Sequence, residues 1–200
     1  MGETAGGSGG DSVLNLETLL DKCRQGDDLA WEALVRRYQG RVFSVSLHYM
    51  RDREEARDTA QEVFIKLYRR LNTLRSGEAF LPFLIRMTRN CAIDRIRRLK
   101  SRTPEQSIPV EEGPEIVAHQ PTPEENTLRR WRKGLLYRAL DELSEQSREV
   151  ILLKDIQELK LSEIADLLAL PLGTVKSRSH RARIELAEAI QQIELSPGAM

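Results

Sequence analysis

Apolar residues recur at threes and fours along most of this chain and never alternate at twos, so the pattern predicts helices and no strands. Leu29, Leu34, Val35, Tyr38, Val42, Val45, Leu47 and Met50 fall roughly on one helical stripe behind the capping candidates Asp27 and Asp28, with Gly40 its weak point. A second helix follows Asp52 and Glu55, which have the spacing of a capping box, and turns Ala56, Ala60, Val63, Phe64, Leu67 and Leu71 inward. A third begins near Ser76, tolerates Pro82 in its first turn, and carries Leu84, Ile85, Thr88, Ala92, Ile93, Ile96 and Leu99 on its buried stripe. Beyond a gap in the pattern, Thr122 offers an N-cap, Pro123 a first helical position and Glu125 the third, ahead of Leu128, Trp131, Leu135, Ala139 and Leu143. Ser144 caps the next segment, with Val150, Ile151, Leu153 and Ile156. Ser162 caps a short helix with Ile164, Ala165, Leu167 and Leu168. Leu170 to Gly173 interrupts the pattern, and Thr174 opens a last helix with Val175, Ala182, Leu186 and Ala189 inside. The expected fold is all-α.

Charge divides this helical string in two. Lys+Arg and Asp+Glu both number 31 in 200 residues, so net charge names no partner. Local charge is far from even. Residues 86–102 hold seven basic side chains against the single acid Asp94. Residues 103–128 hold six glutamates, no Lys or Arg, and five of the eight prolines. Such a stretch buries too little apolar surface to offset its ordering entropy, so it is expected to be a flexible acidic linker between two domains. The glycine-rich start, residues 1–13, has no basic or apolar signal stretch and is expected to be a disordered leader.

Composition narrows the chemistry. No apolar run approaches the roughly 18 to 20 residues that a bilayer demands, so a cytoplasmic protein without membrane contact of its own is expected. Cys23 and Cys91 lack zinc or disulfide spacing and are expected to be ordinary buried thiols. His48, His119 and His180 stand near no plausible nucleophile or ligand set, and no phosphate loop is present. The expectation is therefore no catalysis, no cofactor and no metal.

The informative pattern lies near the C-terminus. A small apolar helix, a short break, and a second helix that opens with basic and hydroxyl side chains describe a helix-turn-helix. Lys176, Ser177, His180 and Arg181 share the outer face of the second helix, while Val175 and Ala182 face inward. Lys and Arg donate to guanine O6 and N7, Ser and His to bases or phosphate, and Arg178 and Arg183 are placed for the backbone. Taken alone, the helix also fits a solvated amphipathic helix closing a bundle.

Two blocks together resemble the extracytoplasmic-function (ECF) sigma factors. Leu161-Ser162, Ile164-Ala165, Pro171, Gly173-Thr174-Val175-Lys176-Ser177-Arg178 and His180-Arg181-Ala182-Arg183 look like region four of that family. Asp58, Gln61-Glu62-Val63-Phe64, then Phe80, Phe83-Leu84, Arg86, Arg89-Asn90, Ala92 and Asp94-Arg95 with Arg97-Arg98 are similar to region two. The likeness spans roughly residues 14 to 190, with both blocks in the family's order and the acidic linker between them. It departs in places. Phe83 replaces a usual tryptophan, Ala169 a frequent glycine, Ser179 a usual aliphatic and Leu172 a common acid.

The resemblance implies two helical domains, a region-two bundle over 14–102 and a region-four helix-turn-helix over 123–193, joined by a linker over 103–122 and followed by a tail over 194–200. It implies core RNA polymerase as a partner, bound through Asp58, Gln61 and Glu62. Promoter DNA would be held at the minus-10 element by Lys66, Arg75, Arg86, Arg89, Asn90 and Arg97, with Asn90 the candidate base reader. At the minus-35 element the contacts would come from Thr174, Lys176, Ser177, Arg178, His180, Arg181 and Arg183. An anti-sigma factor is a further candidate partner. Rival readings are a conventional helix-turn-helix regulator acting without polymerase and a helical adaptor whose basic faces bind acidic proteins.

Overall fold

The computed structural model describes residues 15–73, 80–102 and 134–195, and all regular structure among them is helical. The expected leader, the linker, Arg75, Leu128 and Trp131 lie outside the described residues. Helices α1 (Leu16–Arg24), α2 (Asp28–Met50), α3 (Arg53–Arg70) and α4 (Phe80–Arg102) build the N-terminal body. A C-terminal body follows, with α5 over 134–142, α6 (Glu145–Ile151), a π turn (Leu152–Ile156), α7 (Leu161–Leu168) and α8 (Leu172–Leu195).

Local chemistry sets most of these boundaries. Asp27 Oδ1 accepts from the Ala30 amide at 3.0 Å, Asp52 Oδ1 from Glu55 N at 2.8 Å, and Ser144 Oγ from Ser147 N at 3.2 Å, so the three expected caps hold. The Asp52 box is only half made, because the Glu55 carboxylate turns to Arg95 on α4 instead. Ser162 is not a cap. Helix α7 begins one residue earlier, where the Glu163 carboxylate accepts from the Lys160 amide at 2.7 Å and ties down that turn. Helix α8 likewise starts at Leu172, before Thr174, with Val175 N donating to the Pro171 carbonyl at 3.1 Å.

The first core joins α1 to α4. Leu34, Val42, Val63, Leu67 and Leu84 have no solvent exposure, and Leu19, Cys23, Phe80 and Cys91 seal its ends. Truncating one such leucine to alanine costs about 2 to 5 kcal/mol, so each is an anchor of this body. Leu29 was expected on its stripe but is 78% exposed; Ala30 takes the inward position beside it. Helix α1, which the periodicity did not resolve, covers the open side of α2 with Leu19, Leu20 and Cys23. Phe83, in place of the usual tryptophan, packs partly buried against this core.

A second core belongs to both bodies. Val45 of α2 and Ile85 of α4 are fully buried against a cluster made by Leu152, Leu153, Leu159, Ile164, Ala165, Leu167 and Val175. Ala139, Leu140, Leu143, Ile151, Ala182 and Ala189 form a third, internal to the C-terminal body. The two halves are therefore packed on one another along α2 and α4.

Candidate nucleic-acid interface

Helix α7 and helix α8 meet through a tight turn at Ala169, which adopts the left-handed conformation (φ 53°, ψ 45°) and donates its amide to the Ala165 carbonyl. A Cβ costs energy in that conformation, the physical reason glycine is favoured there. The turn fixes how α8 leaves the body. Val175 and Ala182 are fully buried and Ser179 nearly so, an inner stripe in which the serine hydroxyl displaces apolar packing. Lys176, Ser177, His180, Arg181 and Arg183 are exposed, with Thr174 and Arg178 partly so. Ser177 Oγ donates to the Thr174 carbonyl at 3.0 Å, and Arg183 is forked onto Asp155 of the π turn. Lys176, His180 and Arg181 make no ion pair among the described residues, so the outer face of α8 presents the unpaired cations Lys176 and Arg181 beside His180.

Helix α4 carries the second basic face. Arg86, Asn90 and Arg97 are exposed on it, and Lys100 continues the row. Arg97 lies 3.7 Å from Asp94 in a loose surface pair. Arg89 is held differently. Its Nε donates to Tyr49 Oη at 3.2 Å and lies 3.4 Å from Glu149 of α6, while Tyr49 donates a short hydrogen bond to the same carboxylate. Burial and the Glu149 charge push the Tyr49 phenol well above its ordinary range, so it stays a donor. Lys66 stands apart on α3, bonded to Glu62 at 2.7 Å and to Cys91 Sγ at 3.3 Å. Burial pushes the Cys91 and Cys23 thiols up, which makes both poor thiolates.

On α3, Asp58 is exposed and Glu62 half-buried, and both are already engaged. Asp58 binds Arg95 at 2.8 Å, and Glu62 binds Lys66 and, at 3.3 Å, Arg98. The Lys66 ammonium holds the Glu62 carboxyl below its ordinary range. Gln61 is exposed, and Ile65 and Tyr68, more than half exposed, continue its row along the helix. Sequence periodicity missed that apolar extension, although the spacing of Asp58, Gln61, Ile65 and Tyr68 at three, four and three carries it.

Between the bodies lies a cleft of about 750 Å³ lined by His48, Tyr49, Arg89, Arg97, Lys100 and Glu149, among others. Burial, aided by Arg148 and Arg51, pushes His48 down to about 4 and keeps it neutral there. Below the cleft, Arg41 donates to the Gln157 carbonyl at 2.9 Å and to Glu158 at 3.0 Å, and Gln157 Nε2 donates to Ser44 Oγ at 2.8 Å. Arg41, Ser44, Gln157 and Glu158 were not singled out from the sequence, because partners more than 100 positions apart leave no periodic signal.

Comparison with known proteins places both bodies. The family described as Sigma-70 region 2 matches residues 34–102, and Sigma-70, region 4 matches residues 133–186. The RNA polymerase sigma-H factor of Pseudomonas aeruginosa is 30% identical over 182 residues, covering 88% of this chain and 94% of that protein. The ECF RNA polymerase sigma factor SigW of Bacillus subtilis is 31% identical, covering 87% of this chain and 96% of that one. In fold, the chain is similar to CnrH in its complex with the cytosolic domain of CnrY (TM-score 0.56, 22% identity, 87% and 96% of the two chains). It is also similar to the sigma factor RpoE of Bartonella quintana, solved with the anti-sigma factor NepR (TM-score 0.59, 20% identity, 80% and 96%). Two family regions in the right order, on the two helical bodies just described, make this chain a member of the ECF sigma factors of RNA polymerase.

Proposed function

We propose that this sigma factor binds core RNA polymerase through the exposed row of α3 and holds promoter DNA with both α4 and α8. Gln61 supplies the free polar contact on α3, with Asp58 and Glu62 held beside it by their cations. Arg86, Asn90 and Arg97, with Lys66, Arg75 and Arg89, take the opened minus-10 strand, where phosphate contacts and base burial offset the cost of unstacking. Lys176, Ser177, His180 and Arg181 enter the major groove at minus-35, flanked by Thr174, Arg178 and Arg183. Region two runs over 14–102, the linker over 103–122 and region four over 123–193. The chain performs no catalysis itself, works in the cytoplasm, and is restrained by an anti-sigma factor, as the Bartonella quintana sigma factor RpoE is seen in complex with one.

The observation that supports this reading best is the unpaired outer face of α8 above a fully buried inner stripe. A gel shift with genomic promoter fragments tests it. The chain and core polymerase together give a sequence-selective complex, and neither alone does. A selective complex formed by the chain alone would overturn the polymerase-dependent reading.

A further inference from the structure

Leu172 is an apolar side chain beside a reading face that is otherwise polar. It begins α8, one helical turn before Lys176, and 41% of it stays exposed. It belongs to none of the apolar clusters among the described residues, although Leu170 packs on one of them and Val175, three positions later, is fully buried. Gly173 follows it. A Cβ at Gly173 would meet nothing within 4 Å, so no contact within the chain calls for a glycine there. The missing side chain instead clears the first turn of α8 for close approach by a partner, directly beside the leucine.

In a helix-turn-helix the first residues of the second helix meet base edges. A leucine there has no donor or acceptor and offers only apolar surface. Of the groups that base pairs display in the major groove, the apolar one is the thymine C5-methyl; cytosine lacks it and presents the N4 amino donor instead. Seating a leucine on a thymine methyl removes both from water, whereas seating it on a cytosine edge strips that donor of water without giving it a partner. Attraction and rejection thus favour the same base.

We infer that Leu172 is a specificity-determining residue, which reads one thymine of the minus-35 element through its C5-methyl group. The inference rests on the assignment of α8 to that element. The acid common at this position in the family would accept from cytosine N4, so the leucine changes which base is read.

The test uses holoenzyme assembled from core polymerase and the full chain, with a library of duplexes built on a genomic promoter it transcribes and randomised across the minus-35 element. Wild type should enrich thymine at one position that Leu172→Ala leaves unselected, with preferences elsewhere kept. Leu172→Glu should enrich cytosine at that same position. An acid in the first turn suits the helix dipole, so this variant keeps α8, and circular dichroism verifies helix content for both. Replacing the selected thymine by deoxyuridine, which lacks only the methyl, should weaken binding of wild-type holoenzyme about fourfold, the affinity equivalent of one buried methyl, and leave Leu172→Ala unaffected. Base preferences unchanged in both variants, or deoxyuridine bound by wild type as tightly as thymine, overturn the inference while the assignment of α8 stands. A Leu172→Ala chain that assembles poorly with core polymerase yet selects the same bases makes Leu172 a protein contact and overturns it too. A library that yields no preference at any minus-35 position overturns the assignment of α8, and the inference with it.

Discussion

Helices α3 and α8 both offer a row of polar side chains to solvent, and the two rows are prepared in opposite ways. On α3 the two acids of the row are already paired within region two, Asp58 with Arg95 and Glu62 with Lys66 and Arg98. On α8 only Arg183 is held, by Asp155, while Lys176, His180 and Arg181 wait without ion pairs among the described residues. A pre-paired face gains little from long-range attraction and depends on shape, hydrogen bonding and the exposed Ile65 and Tyr68. An unpaired cationic face gains counterion release and loses affinity with salt. Under the proposed function the difference separates the two tasks, docking on the pre-paired face of α3 and electrostatic reading on α8.

The sharpest way to break this comparison is at Gln61. Gln61→Lys should cost about 2 kcal/mol or more in polymerase affinity, the scale of an interface hot spot, with thermal unfolding unchanged because the side chain is exposed. Co-elution with core polymerase measures it, and full retention would show that α3 is not the docking face. Glu62→Lys should in addition lower the melting temperature, since it faces Lys66 and Arg98 with a third cation.

On α8, with core polymerase bound, Arg181→Ala should cost roughly 1 to 3 kcal/mol on the matched minus-35 duplex and little on a scrambled one. Equal losses on both would make α8 a phosphate clamp. Asp155→Asn sharpens the same point by releasing Arg183. Freed to meet phosphate, Arg183 should steepen the salt dependence of duplex binding by about one unit of slope. Ala169→Gly relieves the left-handed turn and should stabilise the chain by about 1 kcal/mol in thermal melts.

The smallest effect concerns pH. Because Glu62 titrates below its ordinary 4.5 in the folded chain, its pairing stabilises above that value and fades as pH falls below it. Denaturation between pH 5 and 3 should show wild type losing roughly half a kcal/mol more than Glu62→Gln. No difference would mean that the pair contributes nothing.

Much of this was legible from residues near one another in sequence. The caps Asp27, Asp52 and Ser144, the stripes of α2, α3, α4 and α8, and the turn before α8 all follow from local spacing and side-chain chemistry. Errors arose where tertiary partners decided. Leu29 fits the stripe by spacing, yet Ala30 packs inward. Glu55 has capping-box spacing, yet a guanidinium on α4 claims it. At α7, the bond from the Lys160 amide to the Glu163 carboxylate outcompeted Ser162. Site residues were legible as types, since Lys176 and Arg181 repeat on one helical face. Their state of pairing was not, because Asp58 meets Arg95 37 positions away and Arg89 meets Glu149 60 away.

Run-off transcription with purified core polymerase on genomic fragments tests the central claim most directly. The account predicts discrete transcripts that require the chain, disappear with Gln61→Lys, and change in promoter preference with Arg181→Ala. Absence of chain-dependent transcripts, or transcripts indifferent to both substitutions, would contradict it.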